Sequence, residues 1–286
     1  MSRIDVRMPN GEGIGANQTA TFKLPIGRRY HQLAFQFATT GGNAFSFANL
    51  KEIRLFLNGS VFHRYSGATR ETMNRFDGRS PSMIDASTFT LIVPFTRYKL
   101  NTLAGEEETS VNTGSADPKT AQQITSFYAE VDIDNTVAGS ISCVVNALQS
   151  EALPGGPETL MYTLPFTRAV TGAGDFEISD LPRGAAQSLA LNRSFFSGQG
   201  AANITRGIVQ RNQYVVFDRT SQYNSRIQND GWRVPQNNWF VIDKTEDAVG
   251  GDPIDLVGAA DFRYRLTLDN AATLLVQQEY LGTLAS

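Results

Sequence analysis

The stretch FYAEVDIDN (127–135) returns as FRYRLTLDN (262–270), with Phe at its head, apolar residues at the same alternate positions and Asp-Asn at its end. Strict alternation is the signature of a strand with one buried face. Three further matches keep the same order along the chain. Leu24-Pro25-Ile26-Gly27 pairs with Leu181-Pro182-Arg183-Gly184, Val61-Phe62-His63-Arg64 with Val216-Phe217-Asp218-Arg219, and Asp77-Gly78 with Asp230-Gly231. Each match is short, but four in one order predict a chain made of two copies of one unit.

The first copy reads as a series of short strands. Thr19–Leu24 alternates and is stopped by Pro25, which cannot donate to a ladder. Alternation resumes with Leu33, Phe35 and Phe37, and Ile53-Arg54-Leu55-Phe56-Leu57 leads into Asn58-Gly59, a two-residue hairpin turn. The return strand is Val61–Tyr65, followed by a short helix over Thr69–Phe76 that Asp77-Gly78 ends, and by strands at 89–95, 125–133 and 140–148. The second copy predicts strands near 174–179, 187–196, 204–210, 213–218, 238–243, 261–268 and 273–281, with its helix at 220–228. About eight strands per copy is the size of a jelly roll. The fold class is therefore all-β: two tandem eight-stranded jelly-roll β-sandwiches with short helices in loops. The divisions are an N-terminal arm over 1–18, a first roll over 19–152, a linker over 153–173 and a second roll over 174–286. Segment 100–123 reads as a long, polar, surface-exposed loop, and 244–258 as a second outward loop.

The composition agrees. In 286 residues, charged side chains make up only 19% while Phe numbers 18 and Gly 25, a balance that favours strands over helices. The net charge of -3 lacks the signature of a polyanion binder, so no sequence-specific nucleic-acid partner is expected. The single cysteine, Cys143, excludes an internal disulfide and alternates with Ile141 and Val145 as a core residue would. The N-terminal stretch shows no apolar core of a signal peptide, and no run approaches a membrane span of about 20 apolar residues. Of the 25 basic residues 20 are Arg, the cation favoured at protein interfaces.

Chemistry is sparse. His31 and His63 stand alone on separate strands, and neither a nucleophile elbow nor a phosphate-binding loop is present, so no catalysis is expected and no cofactor is required. Glu106-Glu107-Glu108 reads as a solvated charge run. Glu130, Asp132 and Asp134 alternate along one strand face, where like charges repel; calcium, an Arg-bearing neighbour or water would satisfy them. The repeat sets Glu130 against Arg265 and Tyr128 against Arg263, which makes Glu130, Arg263 and Arg265 candidates for contact between rolls of different subunits. Arg3 and Arg7, in the arm, are further interface candidates. Two other classes fit the same patterns: a tandem-sandwich sugar-binding protein or hydrolase, which Trp232 and Trp239 would serve, and another phage component such as a fibre subunit.

GANQTATFKLPIGRRYHQLAF (15–35), IRLFLNG (53–59), EVDIDNTVAGSIS (130–142), FEISDLPRGAAQSLAL (176–191) and RLTLDNAATLLVQQEYLG (265–282) resemble the major capsid proteins of corticovirus-type phages. These are tailless icosahedral bacteriophages with an internal membrane. The resemblance implies a double jelly roll whose homotrimers form pseudo-hexagonal capsomers, tile a shell with neighbouring capsomers, penton and minor capsid or membrane proteins, and enclose an internal lipid membrane. It also implies calcium-stabilised particles, and a virion protein assembled in the host cytoplasm.

Overall fold

The computed structural model describes residues 3–42, 44–97, 100–114, 124–154, 156–248 and 252–284. Roll one is built from β1 (Ile4–Arg7), β2 (Thr19–Lys23), β3 (Arg28–Thr40), β4 (Leu50–Leu57), β5 (Ser60–Tyr65), α1 (Gly67–Phe76), β6 (Thr88–Pro94), α2 (Leu103–Glu107), β7 (Val111–Asn112), β8 (Phe127–Ile133) and β9 (Ser140–Glu151). Roll two is built from β10 (Leu160–Val170), β11 (Gly174–Ile178), β12 (Ala190–Ser197), β13 (Ile204–Arg211), β14 (Tyr214–Thr220), α3 (Ser221–Gln228), β15 (Trp239–Asp243), β16 (Ile254–Asp255), β17 (Phe262–Leu268) and β18 (Ala272–Gly282).

The strand orders repeat. In roll one the two sheets run β1-β9-β3-β6 and β2-β8-β4-β5; in roll two they run β10-β18-β12-β15 and β11-β17-β13-β14. Even the short β7 beside β3 has its counterpart in β16 beside β12. Ladder irregularities recur as well: β3 against β9 shifts between Tyr30 and Gln32, and β12 against β18 shifts between Leu191 and Arg193. Gln32 and Arg193 are thus structural equivalents, as are Leu148 and Glu279. Each sandwich buries the inward half of its alternation: Leu33, Phe35, Leu55 and Val131 in roll one, and Leu191, Val209, Leu266 and Val276 in roll two. One sheet of each roll joins into a single sheet, because β5 and β10 lie side by side in parallel with His63 opposite Thr163.

Three sequence expectations change. Residues 4–7, read as part of an arm, form β1 and pair along Asn146–Gln149 of β9. Residues 160–170, read as part of a linker, form the eleven-residue β10, paired along the whole of β18. Both are first strands of their rolls, and the Pro and Gly around β10 mask it because Pro165 is tolerated in the ladder. The polar loop is also not simply exposed: it carries α2 and β7, and Thr109, Ser110, Asn112 and Thr113 are buried. Residues 115–123 of that loop, and 249–251 of the second expected loop, lie outside the described residues.

A finer correction concerns the Val-Phe repeat. Asn58-Gly59 turns between β4 and β5 with both φ positive (51° and 77°), and Asn212-Gln213 does the same between β13 and β14 (48° and 71°). Because a hairpin turn sets register, Phe217 rather than Asp218 occupies the place of His63. The ladders agree, since Leu55 faces His63 and Val209 faces Phe217, each beside a bulge. Helix α1 begins a turn earlier than Thr69: Ser66 is the N-cap and its Oγ accepts from the Thr69 amide at 3.1 Å.

Candidate functional site: the seam between the rolls and the outer charge clusters

The side chains that meet where the two rolls join are polar at one level and apolar at the next. Helix α1 is stopped at Asp77, followed by Gly78 at φ 69°, and this stop delivers Asp77 to roll two. Arg193 on β12 pairs with Asp77 and, through Nε at 2.6 Å and Nη2 at 2.9 Å, with both oxygens of Glu279 on β18. Asn192 Nδ2 donates to Glu279 at 3.3 Å. Arg70, wholly buried, lies over the Tyr65 ring at 5.7 Å, donates to Asn74 at 3.1 Å and stands 3.8 Å from Asp77. Two cations thus meet two carboxylates out of water. Burial opposes the charge on Arg193, but Asp77 and Glu279 outweigh it and hold the guanidinium firmly charged. Next to this level, Met73 and Phe76 of α1 lie against Phe195 and Val241 of roll two, with the Phe76 and Phe195 rings edge to face at 5.4 Å.

His63 sits at the joining strand with its ring between Phe62, Tyr65 and Phe95, and neither ring nitrogen has a hydrogen-bond partner among the described residues. Burial, with the nearby Arg70 charge, lowers its pKa to about 3, so it is neutral at ordinary pH. His31 is also buried, its Nε2 2.8 Å from Ser150 Oγ, and burial lowers it to about 4 despite Glu107. Cys143 is a buried thiol on the inward face of β9, and burial raises its pKa. Trp239 joins the apolar level of the seam, whereas Trp232 is half exposed.

The charge clusters that the sequence singled out are mostly closed within their own rolls. Arg54, on β4, reaches Glu130 at 3.1 Å, Asp132 at 3.0 Å and Glu52 at 2.8 Å. Thr19 donates to Asp132 at 2.6 Å, and Lys51 stands 3.4 Å from Asp134. Of the alternatives for Glu130, Asp132 and Asp134, the structure supplies the Arg-bearing neighbour in place of calcium. Among the described residues no group of three or more His, Cys, Asp or Glu is gathered as a metal would need. Arg263 pairs with Asp261 at 2.7 Å and Glu177 at 3.2 Å, and Arg265 lies 4.0 Å from Glu177. The equivalence of Glu130 and Arg265 holds in the ladders, but each has an opposite charge on its own sheet, so the inversion needs no other subunit to balance it.

Glu106-Glu107-Glu108 is likewise not a free charge run. Glu107 accepts from Arg3 at 2.7 Å and from Arg29 at 3.0 Å, Glu106 accepts from Arg3 at 3.2 Å, and Glu108 pairs with Arg97. Burial acts to raise the Glu107 pKa, but Arg3, His31 and Arg29 hold it below its ordinary value. Arg3 therefore ties the chain's beginning to α2, while Arg7 is exposed at the end of β1 opposite Asn146.

Removing Arg54 tests how much the acidic face depends on it. Arg54→Met should lower stability by about 1 kcal/mol or less in dilute buffer, the loss shrinking as salt screens Glu130 from Asp132. Urea midpoints at low and high salt measure this, and a loss unaffected by salt would mean that Arg54 acts through packing alone.

The seam residues Asp77, Arg193 and Glu279 were not singled out in the sequence as a site. One signal was present: Gln277-Gln278-Glu279 interrupts the apolar alternation of β18, yet all three are fully buried. Consecutive buried polar residues in a strand imply that both of its faces are covered. Among the described residues, no helix is long and apolar enough to cross a membrane.

Comparison with known proteins follows the division into rolls. Residues 5–152 match the viral coat protein P2 N-terminal domain, and residues 160–284 match the viral coat protein P2 C-terminal domain. The fold is similar to the major capsid protein P2 of bacteriophage PM2, at TM-score 0.84 and 19% identity, covering 99% of this chain and 98% of that one. It is also similar to a chain of Sulfolobus Turreted Icosahedral Virus, at TM-score 0.69, 10% identity and coverage of 99% and 91%. A chain of the PBCV-1 virus capsid follows at TM-score 0.63, 9% identity and coverage of 98% and 93%. No curated protein matches the sequence.

Proposed function

The chain belongs to the viral coat protein P2 family, as a double jelly-roll major capsid protein of the virion, and we propose that it acts as a homotrimer whose capsomers tile an icosahedral shell. The observation that supports this reading is the equivalence of the two rolls, strand for strand and bulge for bulge. Three copies then present six similar rolls, so a threefold assembly can occupy a position with near-sixfold surroundings. On this reading the protein does its work by assembly and not by catalysis; its partners are neighbouring capsomers, penton and minor capsid or membrane proteins, and it assembles in the host cytoplasm. An internal lipid membrane beneath the shell is part of the same proposal, supported by the family likeness.

The purified chain should run in sedimentation at about three times 31.3 kDa and show pseudo-hexagonal particles by electron microscopy. A monomer at every concentration, or elongated fibres, would overturn the proposal.

A further inference from the structure

We propose that between subunits the free edge of β14, with helix α3, docks on β1 and the outer face of β3 and β6 of the next copy, repeating the junction that joins the two rolls within one chain. The inference rests on the trimer reading above and says which surfaces close the ring.

Within the chain the junction has two parts. β5 lies parallel to β10, and α1 covers the outer face of β12 and β15 with Met73 and Phe76. Topology makes β14 the counterpart of β5, α3 of α1, β1 of β10, and β3 and β6 of β12 and β15. Hydrogen bonds fix the helix register: Asn74 Nδ2 donates to the Ile92 carbonyl at 2.9 Å, and Gln228 Nε2 donates to the Val241 carbonyl at 2.9 Å. Ile92 faces Ala34 in its ladder as Val241 faces Phe195, so Gln228 stands for Asn74 and Ile227 for Met73.

Exposure then inverts between the copies. Met73 is fully buried, while Ile227 is 40% exposed. Phe195 and Val241 are buried, while Ala34 and Ile92 are only partly so. β5 is covered, while Tyr214, Val215 and Val216 of β14 lie open at an unpaired sheet edge. Of the twelve exposed large apolar residues among those described, eight fall between Tyr214 and Val257. An open apolar edge is a surface to be paired. Each half of the junction is therefore used once inside the chain and left open once. Two such different, complementary halves make a head-to-tail contact, which closes into a ring when the rotation permits. The occupant is a second copy, because the chain already shows the fit.

The ladders bring Asp5 of β1 to the level of Thr163, and Phe217 and its neighbour Asp218 to the level of His63. The test combines Asp5→Cys with Asp218→Cys, two exposed positions, and treats the native oligomer with a short bismaleimide. Covalent dimers and trimers should form on a denaturing gel, and neither single variant should give them, the native Cys143 being buried. Ile227→Asp, also at an exposed position, should weaken trimer formation at least tenfold. An intact trimer by sedimentation that gives no linked species, or an Ile227→Asp chain that trimerises normally, overturns the proposed junction and leaves the trimer reading standing. A wild-type chain that is monomeric at every concentration overturns both.

Discussion

Arg193→Met lowers the stability of the protein by about 3–5 kcal/mol, the cost expected when one partner of a buried ion pair is removed and the other is left behind. The size follows from burial: Glu279 is fully inaccessible and Asp77 nearly so, and both direct oxygens at the lost guanidinium. Arg70 cannot take over for Glu279, since its nearest carboxylate is Asp77, at 3.8 Å. A double change, Arg193→Met with Glu279→Met, should recover a large part of the loss, because it removes the stranded carboxylate along with its partner. Urea denaturation of wild type, both single variants and the double variant forms the required cycle. Equal losses in the single and double variants would show that the seam does not depend on the pair. The affected contact joins β12 and β18 of roll two to the end of α1 in roll one, so a further sign would be unequal melting of the two rolls.

Acidification should weaken the folded chain through His63. Its folded pKa is lowered to about 3, against about 6.5 for an unperturbed histidine, so below pH 6.5 the unfolded chain binds a proton that the folded chain refuses. The contribution is fully present above pH 6.5 and is lost as pH falls toward the folded value. By pH 4.5 it amounts to about 2–3 kcal/mol, at 1.36 kcal/mol per unit of separation. The groups around the ring act in one direction, since Arg70 opposes a second cation and Phe62, Phe95 and Tyr65 exclude water. His63→Leu removes the titrating group, so its stability should change less between pH 7.5 and 4.5 by that amount. Identical pH slopes in the two proteins would show that acid acts through other groups. His31, lowered to about 4 by burial, adds a second contribution of the same sign.

Most of the fold was legible in the sequence because its rules are local. Strand alternation at 127–133 and 262–268, the Asn58-Gly59 turn and the Asp77-Gly78 helix stop each act within a few residues. What local rules misread were segments whose structure is imposed from a distance. β1 and β10 look like an arm and a linker because their partners, β9 and β18, are more than a hundred residues away. The acidic triplet at 106–108 looks solvated because Arg3, Arg29 and Arg97 are brought to it only by the sheets.

By itself, then, the sequence determined two copies of an alternating all-β unit and a family likeness, since alternation, turns and repeats are properties of neighbouring residues. The tertiary structure decided how the copies differ. β5 and β14 share a motif, yet one is buried beside β10 and the other is an open edge. Glu130 and Arg265 share a position, yet each is neutralised on its own sheet. Burial and ion pairing depend on which surfaces meet in space, and a one-residue register shift from Asp218 to Phe217 is enough to change which side chain stands at the seam's counterpart.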